Sequence, residues 1–181
     1  PVIESALNPG ATSRVGAAGL WQFMIGTGKQ YGLEVTSLVD ERRDPVKASY
    51  AAARYLKDLY DIFGDWTLVI ASYNCGPNNV SKAIKRANGV KDYWAICPYL
   101  PRETQGYVPA FIAANYIMNY YCDHNICPVK TTLPQATDTL LLTRSVRMER
   151  IEQLCGIEHE ELKALNPQYR TSLIPGEARP C

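Results

Sequence analysis

Glu4 stands between Val2-Ile3 and Ala6-Leu7, a carboxyl group set in an apolar stretch of chain. Where such a group loses water its ionised form is disfavoured and its pKa rises. A glutamic acid in that condition keeps its proton near neutral pH and can serve as a general acid. On its own, a glutamate near a helix end serves as readily as a cap or a solvated residue. Downstream, Pro9, Gly10, Gly16 and Gly19 mark a tight loop passing close to a ligand or to a packed helix, with Ser13 inside it as a ligand contact or a turn cap. Gln22 and Met24 follow beside Trp21 and Phe23. Two later groups pair polar and aromatic side chains: Tyr73 with Asn74, and Glu103 with Tyr107. The aromatics among them suit a core as well as a cleft. Glu103, just after Pro101, also suits the first turn of a helix, where an acid is stabilised by the dipole.

Other chemistries find little support. The six cysteines (Cys75, Cys97, Cys122, Cys127, Cys155 and Cys181) form no CxxC pair, and His124 and His159 lie far apart, so no tetrahedral zinc site and no metal are expected. An even cysteine count suits an exported protein with some disulfides, the alternative being unpaired thiols in a reducing compartment. Cys122 and Cys127, separated by Asp-His-Asn-Ile, form the nearest pair, and Cys155 with Cys181 is a second option. Nineteen basic residues against eighteen acidic ones leave a net charge of +1, which removes the field a nonspecific nucleic-acid binder uses. The 181 residues include no apolar run near the roughly 20 needed to span a bilayer. Any export signal or membrane anchor is therefore expected outside this sequence.

The elements that must hold these groups are mostly helices. Apolar residues of 17–31 fall at near-helical spacing, interrupted by Gly26 and Gly28. Asp44-Pro45 reads as an N-cap followed by proline at the first helical position. Behind it Ala52, Leu56, Leu59 and Phe63 line one face. Gly64 ends that helix and Asp65 caps the next, through Trp66, Val69, Ile70 and Tyr73. Asn78 or Asn79 opens a basic helix that Asn88-Gly89 closes. A long helical stretch runs from Glu103 to Tyr121, where Pro109 predicts a kink or a second start, because proline lacks the amide donor. Residues 1–127 thus read as one all-helical domain. Residues 128–137 (PVKTTLPQAT) read as a linker, and 138–181 as a small module. That module is expected to hold a strand at Thr139–Thr143 and helices at Met148–Cys155 and Glu160–Leu165, the second stopped by Asn166-Pro167.

Three ordered blocks carry a family resemblance. Glu4-Ser5, then Asn8-Pro9, Ser13 and Gly16-Ala-Ala-Gly19-Leu20-Trp21-Gln22-Phe23-Met24, resemble the glutamate–serine region of lytic transglycosylases, bacterial relatives of goose-type lysozyme. Ala71-Ser72-Tyr73-Asn74-Cys75-Gly76 resembles that family's A-Y-N-A-G block, with cysteine in place of alanine. Leu100-Pro101-Arg102-Glu103-Thr104-Gln105-Gly106-Tyr107-Val108-Pro109 resembles its L-P-x-E-T-x-x-Y-V-P block. The membrane-bound murein subgroup is the nearest match. The resemblance implies a mainly α, lysozyme-like catalytic domain acting on the bond between N-acetylmuramic acid and N-acetylglucosamine. It implies Glu4 as the catalytic acid/base, Ser13, Gln22 and Met24 lining the cleft near the N-acetyl groups, and Tyr73 and Asn74 contacting sugar near the scissile bond. Glu103 and Tyr107 would shape the opposite side.

The tail carries a second resemblance. Leu162-Lys-Ala-Leu165-Asn166-Pro167 and Leu173-Ile-Pro175-Gly176 resemble the second helix and the turn before the last strand of LysM modules, which bind N-acetylglucosamine-containing glycans. With only Asp138-Thr139 at its start and no evident final strand, it reads as a degenerate or truncated α+β module.

Residues 5–33 contain no aspartate or glutamate, so Glu4 has no second carboxylate nearby in sequence. Glycosidases that use two need them about 5–9 Å apart. A single-acid mechanism with help from the substrate's own N-acetyl group follows, ending in attack by the 6-hydroxyl and a 1,6-anhydro product, without metal or organic cofactor. The expected partner is the peptidoglycan glycan strand, met by a monomer in the bacterial cell envelope, periplasmic or at the outer membrane. The rival readings are a wall-binding scaffold without turnover and a hydrolytic goose-type lysozyme.

Overall fold

Asp44 accepts hydrogen bonds from the N–H groups of Val46 and Lys47, both at 2.9 Å, and Pro45 takes the first helical position. These signals start the long helix α3 (Pro45–Phe63) where the sequence places it; before it come α1 (Val2–Ser5) and α2 (Ile25–Gln30). The computed structural model describes residues 1–129, 134 and 136–176. Half of the expected linker (130–133 and 135) and Cys181 lie outside the described residues, and with them the Cys155–Cys181 pairing. The described chain forms two compact units: one from 3–49 together with the segment from Pro128 onward, the other from Tyr50–Cys127.

The Tyr50–Cys127 unit is helical throughout. Ala52, Leu59 and Phe63 of α3 are buried and Leu56 half-buried, the face expected from their spacing. Gly64 turns the chain at φ +69°, and Asp65 caps α4 (Trp66–Cys75) through the Leu68 N–H at 3.0 Å. The next helix, α5 (Pro77–Arg86), opens at Pro77 rather than at Asn78 or Asn79. Gly76 breaks α4 and proline, already set at helical φ, needs no donor at that position. A short α6 (Tyr93–Ile96), capped by Asp92, leads to α7 (Arg102–Tyr120). Around Leu59, Leu68, Val69, Val80, Ile96 and Val108 these helices share one core.

Pro109 neither ends α7 nor starts a second helix. Its missing N–H would have bonded the Gln105 carbonyl, and the Tyr93 hydroxyl donates to that carbonyl instead, at 2.8 Å. Tyr93 is fully buried, so the substitution of donor is made inside the core.

In the other unit, residues 12–23 are not helical, so the first part of the helical spacing read over 17–31 is overturned. They form an irregular loop closed by single bridges, Thr12 to Ala18 and Ala18 to Phe23. Left-handed backbone at Gly16 (φ +86°), Gly19 (φ +83°) and Gln22 (φ +48°) interrupts any helical run, and only Ile25–Gln30 is helical.

The C-terminal part of the same unit holds β1 (Val146–Arg147), α8 (Met148–Cys155), α9 (His159–Leu165) and β2 (Leu173–Ile174). The strands pair antiparallel, Val146 opposite Ile174, so a final strand is present after all. Thr139–Thr143 is not a strand. Leu140 and Leu141 are exposed, and the ladder begins only at Val146. Met148, Ile151, Leu162 and Ile174 form this part's core. Cys122 and Cys127 carry free thiols rather than the expected bond. The reversal between them is closed by backbone hydrogen bonds, Asn125 N–H to Cys122 O and Ile126 N–H to Tyr121 O. Among the described residues no helix is long and apolar enough to cross a membrane.

Candidate functional site

Glu4 sits on α1, half-buried, and its apolar neighbours Val2 and Ile3 are themselves exposed rather than folded over the carboxyl. Ser5 is the residue that fixes it. Its hydroxyl reaches the Leu20 carbonyl at 3.0 Å and the Pro1 carbonyl at 3.1 Å, tying the end of α1 to the glycine-rich loop. After Ser5 the chain turns through left-handed Ala6 and Leu7, a conformation that costs a non-glycine residue about 1–2 kcal/mol.

Ser13 and Gln22 both face inward into that loop. The Ser13 hydroxyl accepts the Ala17 N–H at 3.0 Å while its own N–H donates to the Ala17 carbonyl at 2.9 Å. The hydroxyl proton of Ser13 is then left to donate elsewhere. The Gln22 side-chain amide nitrogen donates to the carbonyls of Gly19 at 2.8 Å and Ala11 at 3.4 Å, bonds in which its oxygen takes no part. Trp21 anchors the same segment through its indole N–H to Ser49 Oγ at 2.9 Å. Met24, at the start of α2, is exposed.

What holds the loop is a buried pair that sequence reasoning did not single out. Asp40 and Arg42 are both buried and joined by two hydrogen bonds of 2.8 Å, from Nε to Oδ1 and from Nη2 to Oδ2. Arg42 Nη1 then donates to the carbonyls of Gly16 at 2.9 Å and Phe23 at 2.8 Å. Burial opposes ionisation of Asp40. The hydrogen bonds and charge of Arg42, with Arg43 beside it, outweigh burial and hold the carboxyl below its ordinary pKa. Gly19 lies so close to the Arg42 backbone that a Cβ there would stand 1.7 Å from the Arg42 carbonyl oxygen. The D-E-R-R-D run announces charge, and charge runs are read as solvated surface; burial of its first three members is a tertiary fact.

The Tyr50–Cys127 unit holds the remaining candidates. Thr104, buried in the first turn of α7, donates its hydroxyl to Asn74 Oδ1 at 2.8 Å. That orients the Asn74 amide nitrogen toward Glu103 Oε1, a weak contact at 3.5 Å. Asn74 and Glu103 are thus brought together with Glu103 exposed, and the half-buried Tyr107 lies one turn beyond it on the same face of α7. Tyr73 stacks at a tilt on Tyr55, ring centroids 5.3 Å apart. Burial raises the pKa of the Tyr55 hydroxyl and of the neighbouring Cys75 thiol, so both stay neutral at physiological pH. Thr104 was legible as a letter of a motif, but its task of orienting Asn74 was not.

The family described as Transglycosylase SLT domain matches residues 1–96. The family described as Lytic transglycosylase MltD, LysM-like domain matches residues 136–180. The chain is 36% identical over 178 residues to membrane-bound lytic murein transglycosylase D of Escherichia coli K12, covering 96% of this chain and 39% of that protein. It is 33% identical over 141 residues to the soluble lytic murein transglycosylase of the same organism, 75% of this chain and 21% of that one. Its fold matches the crystal structure of the 70 kDa soluble lytic transglycosylase Slt70 from Escherichia coli with a TM-score of 0.56 and 32% identity, covering 67% of this chain and 21% of that one. The chain therefore spans well under half the length of these curated relatives.

Proposed function

The chain belongs to the transglycosylase SLT family, and from that premise we propose that it cleaves the β-1,4 bond between N-acetylmuramic acid and N-acetylglucosamine in peptidoglycan without hydrolysis. The observation that carries this reading is Glu4 itself: the one carboxyl group in residues 1–33, on a helix end that Ser5 ties to the Leu20 carbonyl of the glycine-rich loop. Glu4 protonates the leaving glycosidic oxygen. Positive charge developing at the muramic acid anomeric carbon is met by that sugar's own N-acetyl carbonyl, since no second carboxylate lies near Glu4 in the chain. Glu4, now ionised, takes the proton of the same sugar's 6-hydroxyl as it closes on the anomeric carbon, leaving a 1,6-anhydro end. The tethered hydroxyl competes well against water, because intramolecular attack reaches effective molarities of about 10⁵ M or more.

Recognition of sugar is assigned to the groups the fold leaves available: the Ser13 hydroxyl proton, the Gln22 amide oxygen and the exposed Met24 for N-acetyl groups. In the other unit Asn74, Glu103, Tyr73 and Tyr107 serve hydroxyls and sugar faces. The substrate places the protein in the bacterial cell envelope, with glycan strands as its partner.

Zymography on purified murein tests the reading. The parental chain should clear the gel, and Glu4→Gln should fold normally yet lose a factor on the order of 10² to 10⁴ in rate. A parental chain that binds murein and clears nothing would make this a wall-binding scaffold.

A further inference from the structure

The segment between α9 and β2 runs antiparallel to residues 36–40. Asp40 N–H donates to the Gln168 carbonyl at 2.8 Å, and Arg170 N–H to the Leu38 carbonyl at 2.9 Å. Val39 and Tyr169 form the bridge between them, and Arg170 Nη1 adds a bond to the Thr36 carbonyl at 3.1 Å. On its other side Tyr169 packs against the core of Met148, Ile151, Leu162 and Ile174. The LysM-like part is therefore joined by backbone hydrogen bonds to the residue whose carboxylate holds Arg42.

We infer that this module is a brace for the catalytic loop, and that Arg170 is a positioning residue acting through Asp40 and Arg42. Hydrogen bonds run from Gln168 to Asp40, to Arg42 and to the Gly16 and Phe23 carbonyls; the loop backbone between those two residues leads to Leu20, whose carbonyl accepts from Ser5 on the helix of Glu4. Asp40 is 3% exposed. Its N–H is satisfied by Gln168, and a buried amide stripped of its acceptor is costly enough to shift the backbone that carries it. The guanidinium–carboxylate pair is planar and held by two hydrogen bonds, so it transmits orientation rather than absorbing it. Residues 34–41 have their own closing bonds, Thr36 N–H to Val39 O at 2.7 Å and Glu41 N–H to Glu34 O at 2.9 Å. Those bonds shape the turn but give the Asp40 N–H no partner.

The inference rests on the activity proposed above, and its test separates the two. The full chain, Arg170→Ala, Arg170→Lys and Arg170→Pro, which removes the N–H itself, are compared on a short soluble murein glycan. Amide hydrogen exchange at Asp40 is followed in each. Arg170→Ala should lower kcat about threefold and Arg170→Pro about tenfold or more, with KM within about twofold of the parent, because small misplacements of a catalytic group act on kcat. Arg170→Lys, which keeps a donor for Thr36, should match the parent. Exchange at Asp40 should speed up in step with the loss of kcat. If Arg170→Pro does not fold, the alanine and lysine pair decides by the same criteria. Parental kcat in the alanine or proline variant despite faster exchange, or an unprotected Asp40 amide in the parent, would overturn the brace. A parental chain that yields no product while its Asp40 amide is protected would instead overturn the proposed activity and leave the brace standing.

Discussion

Ser5 and Leu20 are joined across the glycine-rich loop by a hydrogen bond of 3.0 Å, from the hydroxyl beside Glu4 to a backbone carbonyl. The serine of the glutamate–serine pair thus anchors the acid. Ser5→Ala should cost about 1 kcal/mol, the net worth of one intramolecular hydrogen bond. That lowers the melting temperature by roughly 2–4 °C in a chain of this size. Turnover should fall several-fold as the end of α1 loosens. Parental turnover at a lowered melting temperature would restrict Ser5 to stability alone.

The loop's own rigidity can be tested at two glycines of similar backbone conformation. Gly19 (φ +83°) has the Arg42 carbonyl where a Cβ would go, whereas Gly16 (φ +86°) has nothing within 4 Å of that position. Gly16→Ala should cost only the left-handed backbone, about 1–2 kcal/mol. Gly19→Ala must also move backbone and should cost on the order of 3 kcal/mol or more. Urea unfolding midpoints compare them directly, and equal losses would mean that Arg42 does not abut Gly19.

How much of this was legible in the sequence depends on the kind of signal. Local signals succeeded: Asp44-Pro45 and Gly64-Asp65 each mark a helix boundary that the structure repeats. The helical reading of 17–31 holds only at Ile25–Gln30, because apolar spacing carries no information about φ, and left-handed residues decide the loop before it. At Pro109 no second helix starts, for a different reason. The donor that replaces its missing N–H is Tyr93, distant enough in sequence that no local rule connects them. The same limit hid the Asp40–Arg42 clamp, whose burial depends on carbonyls at Gly16 and Phe23. The residue types of the candidate site were readable from motifs, whereas the groups that orient them were not.

The clamp has a pH signature. Asp40 has its pKa lowered in the folded protein, so the stability it contributes is complete above the unfolded value near 3.9 and is lost as pH falls through the lower folded value. Asp40→Asn should destabilise the chain at neutral pH by about 3 kcal/mol, the lower range for breaking a buried pair. It should also flatten the fall in melting temperature below about pH 4. Asp65, whose pKa is lowered by hydrogen bonds from Thr67 and Leu68, leaves a residual slope in the variant. An unchanged acid slope would show that Asp40 does not titrate with folding.

Thr104 and Asn74 should behave as one unit. Thr104→Val removes the hydroxyl that fixes the Asn74 amide, at nearly constant volume. Turnover should fall several-fold, and the double variant with Asn74→Ala should be little worse than Asn74→Ala alone. The coupling expected from the double-mutant cycle is about 1 kcal/mol. Additive losses would mean that Thr104 acts independently of Asn74.

The central claim is that one carboxyl group, Glu4, drives cleavage in which the substrate's own 6-hydroxyl replaces water. Digestion of murein in ¹⁸O-labelled water, followed by mass analysis of the new muramic acid ends, tests it most directly. The account predicts 1,6-anhydro ends free of label, produced by the parental chain and strongly diminished in Glu4→Gln. Label at the new muramic acid terminus would mean that water is the nucleophile and would contradict the mechanism.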